Sequence, residues 1–213
     1  MKVRTLVRTG CVHVILAGVL AAQEVNAQDA RLQQRLDPPT AAAVAALVDS
    51  ASALGLPTEP LVQKALEGQS KGATGDAIVA AVRALVRDLA IAREALGDDV
   101  GPDALSLAAA ALDAGVAPSH LERLRLHRSQ AAFPAGLAGV VYLTLRGVPA
   151  EQSVDLIAAM LDARLSEAEF ASLQRMVERD LRAGVPPARA AAVRTRALIL
   201  HGRVHGPTGG PRS

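Results

Sequence analysis

A helix stop followed at once by a helix start recurs along this sequence, and it constrains the fold more than any other feature. Arg146-Gly147-Val148-Pro149-Ala150-Glu151 is the clearest copy. Leu54-Gly55-Leu56-Pro57, Ala114-Gly115-Val116-Ala117-Pro118 and Ala183-Gly184-Val185-Pro186-Pro187 repeat it. Glycine lacks a Cβ and takes the left-handed conformation that closes a helix. A proline one or two residues later cannot continue that helix but suits the first turn of the next. Each copy therefore reads as the bend of a helical hairpin. Bends fall near positions 55, 72, 97, 115, 132, 147, 165 and 184. Their usual spacing of about 17 to 18 residues, paired into hairpins of about 36, is the scale of α-solenoid repeats. The residue consensus of tetratricopeptide, ankyrin or HEAT repeats is missing. The expected fold is all-α: a degenerate, solenoid-like helical-hairpin array or an irregular bundle of about eight or nine helices.

Composition agrees. Half of the 213 residues are hydrophobic, many of them alanine, and Phe133, Tyr142 and Phe170 are the only aromatics. Ala and Leu favour helix, and the aromatics that favour strands are nearly absent. The length suits one domain with its own core, expected over residues 40–201.

The N-terminus carries a targeting pattern. Lys2, Arg4 and Arg8 form a positive region, Val12 to Ala22 is apolar, and Val25-Asn26-Ala27 places small residues at a cleavage site. Residues 1–27 thus read as a signal peptide, cut between Ala27 and Gln28. A spanning helix needs about 20 apolar residues, and this run is about half that. The chain is expected to be exported, to the periplasm or the outside. Its one cysteine, Cys11, leaves with the leader. Removing Lys2, Arg4 and Arg8 from 23 basic residues, and Glu24 from 21 acidic ones, leaves 20 of each. That balance argues against a nucleic-acid partner.

Residues 28–39, broken by Pro38-Pro39, read as a polar tether, and Thr40 as the cap of a helix through Leu54. A four-turn helix is expected from Ser119 to Gln130. Val140-Val141-Tyr142-Leu143-Thr144 has strand propensity, but a lone strand would have nothing to pair with, so Pro134 to Leu145 is taken as helix. Ser166 and Glu169 have capping-box spacing. The last helix is expected to end near Leu200, with residues 202–213 a disordered tail. The phrases Leu56-Pro57-Thr58-Glu59-Pro60-Leu61-Val62, Lys64-Ala65-Leu66-Glu67-Gly68 and Lys71-Gly72, with the Gly-Val-Pro bends, resemble uncharacterised exported bacterial α-helical proteins. The resemblance covers roughly the middle two-thirds of the chain. It implies an exported helical protein and carries over no activity, cofactor or site residue.

Residues that carry chemistry are scattered. His120 and His127 are seven apart, with roughly 10 Å of helical rise between them, too far for one metal ion without a third element. His201 and His205 have i, i+4 spacing, but Gly202 and Gly206 are expected to break the helix there. Asp98, Asp99 and Asp103 lack the order of a calcium loop, and Asp103 reads as a helix cap. Gly68, Gly72 and Gly75 surround Lys71 without the Gly-Lys-Ser/Thr order of a phosphate loop. No serine sits in a nucleophile elbow or a Ser-x-x-Lys motif. No catalytic, cofactor or metal residue is assigned.

One electrostatic feature stands apart. No acidic residue follows Asp180, and Arg189, Arg196 and Arg203 repeat every seven positions. They form one stripe if the helix continues that far, suited to an anionic lipid or another acidic envelope surface. The expectation is a non-enzymatic interaction or scaffolding module of the cell envelope, partnered by another envelope protein or by anionic lipid. The alternative is a secreted hydrolase with its site in a groove between hairpins.

Overall fold

The computed structural model describes residues 30–205, with side chains as far as Gly202. Among them every regular element is helical. A short helix α1 (residues 30–35) leads into α2 (Pro38–Ala53), α3 (Glu59–Ser70), α4 (Gly75–Leu96), α5 (Pro102–Asp113) and α6 (Pro118–Leu124). A 3₁₀ turn (Arg125–His127) precedes α7 (Phe133–Leu145), α8 (Ala150–Asp162), α9 (Glu167–Arg182) and α10 (Pro187–His205). The described residues fall into two compact units, 30–83 and 84–205, where the sequence suggested one domain over 40–201. The boundary lies within α4.

In the first unit α2 packs on α3. Here the expected tether needs correction. Leu32 and Leu36 are buried, Leu36 N–H donates to the Leu32 carbonyl at 2.9 Å, and Arg31 pairs with Glu59 of α3. The i, i+4 leucine pair outweighs its polar neighbours. Pro38 and Pro39 do not break this segment either. They are the first residues of α2, where a missing N–H costs nothing. Asp37, not Thr40, is the cap, accepting from Thr40 N–H at 3.1 Å. The Thr40 side chain, and then that backbone bond, hold the Asp37 carboxyl below its ordinary pKa.

In the second unit α7 packs on α5, α8 and α9, and α10 on α8 and α9. These principal contacts join helices that are neighbours or next-but-one along the chain, the connectivity of stacked hairpins. Phe133, Leu137, Val140 and Leu143 bury one side of α7, which confirms Pro134 to Leu145 as helix. Close approach to α8 is permitted by Gly139, where an added Cβ would lie 2.8 Å from Ile157 Cδ1.

The bends at Gly55, Gly72, Gly115, Gly147 and Gly184 share one hydrogen-bond pattern. At the α7–α8 bend Gly147 N–H donates to the Thr144 carbonyl at 3.0 Å and Val148 N–H to Leu143 at 3.0 Å. At the α9–α10 bend Gly184 bonds to Leu181 at 2.9 Å and Val185 to Asp180 at 3.0 Å. This paired closure is the Schellman motif, and it satisfies carbonyls the helix would leave open. Gly147 and Gly184 have φ of 88° and 81°, as a glycine stop requires. The bend near 132 differs: Ala132 has φ of −76°, and a turn follows the 3₁₀ segment. The expected Ser119–Gln130 helix stops at Leu124 as α-helix, because Leu121 and Leu124 are buried while Arg125 and Arg128 occupy the positions that would extend their stripe.

Candidate functional site

The second unit offers one face whose chemistry is continuous, the outer side of α10. Its position follows from the bend that precedes it. The Asp180 carbonyl closes the Schellman turn, and the Asp180 side chain reaches across to α10. There Arg194 donates through Nε to Oδ2 at 2.7 Å and through Nη2 to Oδ1 at 2.7 Å. This two-pronged bond matches guanidinium to carboxylate geometry. It holds the Asp180 carboxyl below its ordinary pKa against the opposing effect of burial, and raises Arg194. Gln152 of α8 adds a bond from Nε2 to the Ala188 carbonyl at 3.2 Å.

With α10 so fixed, Ala190, Ala191 and Thr195 are buried against α8 and α9. The opposite side carries exposed Arg189 and Arg196. Between and beyond them stand Val193, 52% exposed, and Leu200, 53% exposed. The helix continues without a break through Gly202 to His205, so Arg203 keeps the seven-residue register; its side chain lies outside the described residues. The expected break at Gly202 is therefore corrected. The glycine lets α10 pack closely there: an added Cβ would lie 2.7 Å from Leu165 Cδ2. Residues 202–205 belong to the helix, not to a tail.

Other large exposed apolar residues, Leu54, Ile91, Leu126 and Leu145, sit singly on separate elements, whereas Val193 and Leu200 share one helix. The sequence reading found the arginines and missed these two. The signal was present as the 189, 193, 196, 200 spacing, one face of a helix.

A cavity of about 490 Å³ lies at the root of this face, lined by Asp180, Gly184, Pro186, Arg189, Val193 and Arg194. Its buried acid and its inner arginine are bonded to each other, which leaves Arg189 as the lining cation outside that pair.

The remaining candidates are placed as follows. Ala27 and Gln28, the expected cleavage pair, lie outside the described residues, as do the leader and Cys11. His120 and His127 do not share one α-helical face, since α6 ends at Leu124. His120 Nδ1 is buried without a hydrogen-bond partner. His127 meets Asp162 at 3.6 Å and Gln130 at 3.1 Å. Asp99 accepts from Arg128 Nε at 3.1 Å, which depresses its carboxyl, and Asp98 lies 3.9 Å from Arg93. Asp103 is in the first turn of α5 behind a Gly101 cap, so it favours the helix dipole and is not the cap itself. Lys71 pairs with Glu67 one turn back. Among the described residues no group of three or more His, Cys, Asp or Glu is placed to hold a metal ion.

A polar cluster joins α7 to α9. Tyr142 donates to the Gln174 carbonyl at 3.2 Å and to Glu178 at 3.1 Å, Arg146 meets Glu178 at 3.0 Å, and the Arg146 guanidinium lies 5.4 Å from the Tyr142 ring centroid. Burial, then the Glu178 contact, pushes the Tyr142 phenol up. Each group in this cluster is engaged with another, so it acts as a clasp between helices.

No helix among the described residues is long and apolar enough to cross a membrane. No family profile, curated protein or solved structure matches the chain.

Proposed function

We propose that this chain is an exported, non-enzymatic helical module of the cell envelope that works through the outer face of α10. The observation that carries this reading is the alternation of exposed Arg189 and Arg196 with half-exposed Val193 and Leu200 on one helix side. Isolated surface leucines are ordinary, but apolar residues in register with like charges mark an interaction surface. The three-part leader of residues 1–27 supports export. The clasps at Asp180–Arg194 and Tyr142–Glu178 support a scaffold role, because they fix the helices that present this face.

The test is site-specific photocrosslinking in an exporting host. A photoreactive side chain at Val193 should capture an envelope component, and the same group at Arg87 of α4 should not. The recovered protein should begin at Gln28. Empty crosslinking at Val193 would defeat the surface reading, and retention of Met1 would defeat export.

A further inference from the structure

At 3.6 residues per turn, Arg189, Val193, Arg196, Leu200 and Arg203 fall within an arc of about 80° and along about 21 Å of helix. Arg194 points elsewhere, bound to Asp180. From position 181 to the end of the chain there is no Asp or Glu, so no acid of its own helix neutralises this strip. Arg189 and Arg196 make no ion pair with any described residue. Glu169 approaches α10 at Gly202, on the packed side.

Resting on the reading that this face is the working surface, we propose that it docks α10 in the plane of a bilayer rich in anionic phospholipid. The guanidinium groups meet headgroup phosphates while Val193 and Leu200 enter the acyl boundary. Arginine suits that role, because its planar fork matches phosphate and its apolar stem lies along the interface. A basic strip with apolar residues interleaved is the pattern of an interfacial helix. The absence of a spanning helix among the described residues fits docking on a membrane and not crossing it.

A protein partner is the less favoured occupant on the same evidence. Protein interfaces concentrate their energy in aromatic anchors seated in pockets. Phe133 and Phe170 are buried, the chain has no tryptophan, and Tyr142 is bound to Gln174 and Glu178. The strip offers charge and small aliphatic area, which a fluid array of headgroups can match without a fixed pocket.

The lack of tryptophan gives a local reporter. In the full chain, Leu200→Trp places one fluorophore on the strip, and Leu126→Trp places one at a residue 85% exposed on another element. With vesicles of equimolar phosphatidylcholine and phosphatidylglycerol, Leu200→Trp emission should shift to the blue and be quenched by brominated acyl chains. Leu126→Trp emission should not. Phosphatidylcholine alone should leave both unchanged.

Adding Arg189→Gln or Arg196→Gln should each weaken partitioning about fivefold, the effect of one cation beside an anionic surface. Arg87→Gln, an equal change in charge off the strip, should alter it by less than about twofold, given screening over a Debye length. Unchanged helical circular dichroism shows that the variants fold. Absence of quenching at Leu200→Trp, equal quenching on neutral vesicles, or equal loss from Arg87→Gln overturns lipid docking. Capture of an envelope protein at Val193 without a lipid response defeats this proposal and leaves the surface reading standing. No capture and no response defeats both.

Discussion

The bend at Ala163-Arg164-Leu165 and the bends at Gly147 and Gly184 make the same hydrogen bonds with different residues. Arg164 N–H donates to Leu161 at 3.0 Å and Leu165 N–H to Met160 at 3.1 Å, the pattern seen at both glycines. Yet an arginine holds the left-handed position, at φ of 57°. The residue that follows is also shared. Val148 and Leu165 are buried at 2% and 4% exposure, and Val185 is half-buried. The bend is therefore held by its paired carbonyl closures and by the apolar side chain tucked in behind them. Glycine lowers the cost of the turn but does not create it.

The comparison breaks most sharply at Leu165. Its Cδ2 packs where α10 comes close at Gly202, so truncation empties volume between the α8–α9 bend and α10. Leu165→Ala should cost about 2 to 5 kcal/mol in urea unfolding, as for other buried leucines. Gly147→Ala and Gly184→Ala should cost less, about 1 to 2 kcal/mol each, for placing a Cβ in left-handed backbone. That cost is conformational. An added Cβ meets nothing within 4 Å at Gly184 and only Pro187 Cγ, at 4.0 Å, at Gly147. If either glycine variant is the more damaging, the buried side chain is not what holds the bend. The reciprocal change, Arg164→Gly, should stabilise by less than about 1 kcal/mol, since relief of left-handed strain is offset in part by glycine's freedom in the unfolded chain. A clear loss of stability would mean that Arg164 makes a contribution beyond its backbone.

These bends also show how far sequence alone reaches. Gly-Val-Pro gave the stops at 147 and 184, because glycine and proline act through their own backbone chemistry. The stop at 165 was legible from the Ser166/Glu169 capping box, whose Ser166 N–H donates to Glu169 Oε2 at 2.6 Å. What stayed hidden depended on distant partners. Pro38-Pro39 looks like a breaker until Asp37 is seen capping the helix they begin. Gly202 looks like a stop until Leu165 is seen against it. Of the candidate surface, the arginine spacing was legible. The place of Val193 and Leu200 on that face lay in the same spacing, but their exposure rests on α8 and α9 covering the opposite side and leaving this one open.

The smallest expected effect separates the two glycine bends from each other by acid. The bend at Gly184 is backed by the Asp180–Arg194 pair, and Arg194 lowers the Asp180 pKa. A carboxylate whose pKa is lower folded than unfolded contributes stability that is fully present above the unfolded value, about 3.9. That contribution is lost as pH falls through the depressed folded value, where the acid takes up its proton in both states. The gap in Tm between the parent and Asp180→Asn should thus hold steady from neutral pH to about pH 5 and narrow progressively as pH falls below about 4. It should remain small, because the Arg194 side chain is 36% exposed and water and salt screen the pair. The gap for Gly147→Ala should not change over the same range, because left-handed strain carries no proton. A Gly147→Ala gap that tracks pH, or an Asp180→Asn gap that does not narrow at all below about pH 4, would show that left-handed strain at Gly147 and the Asp180–Arg194 pair are not the separate contributions they are taken to be.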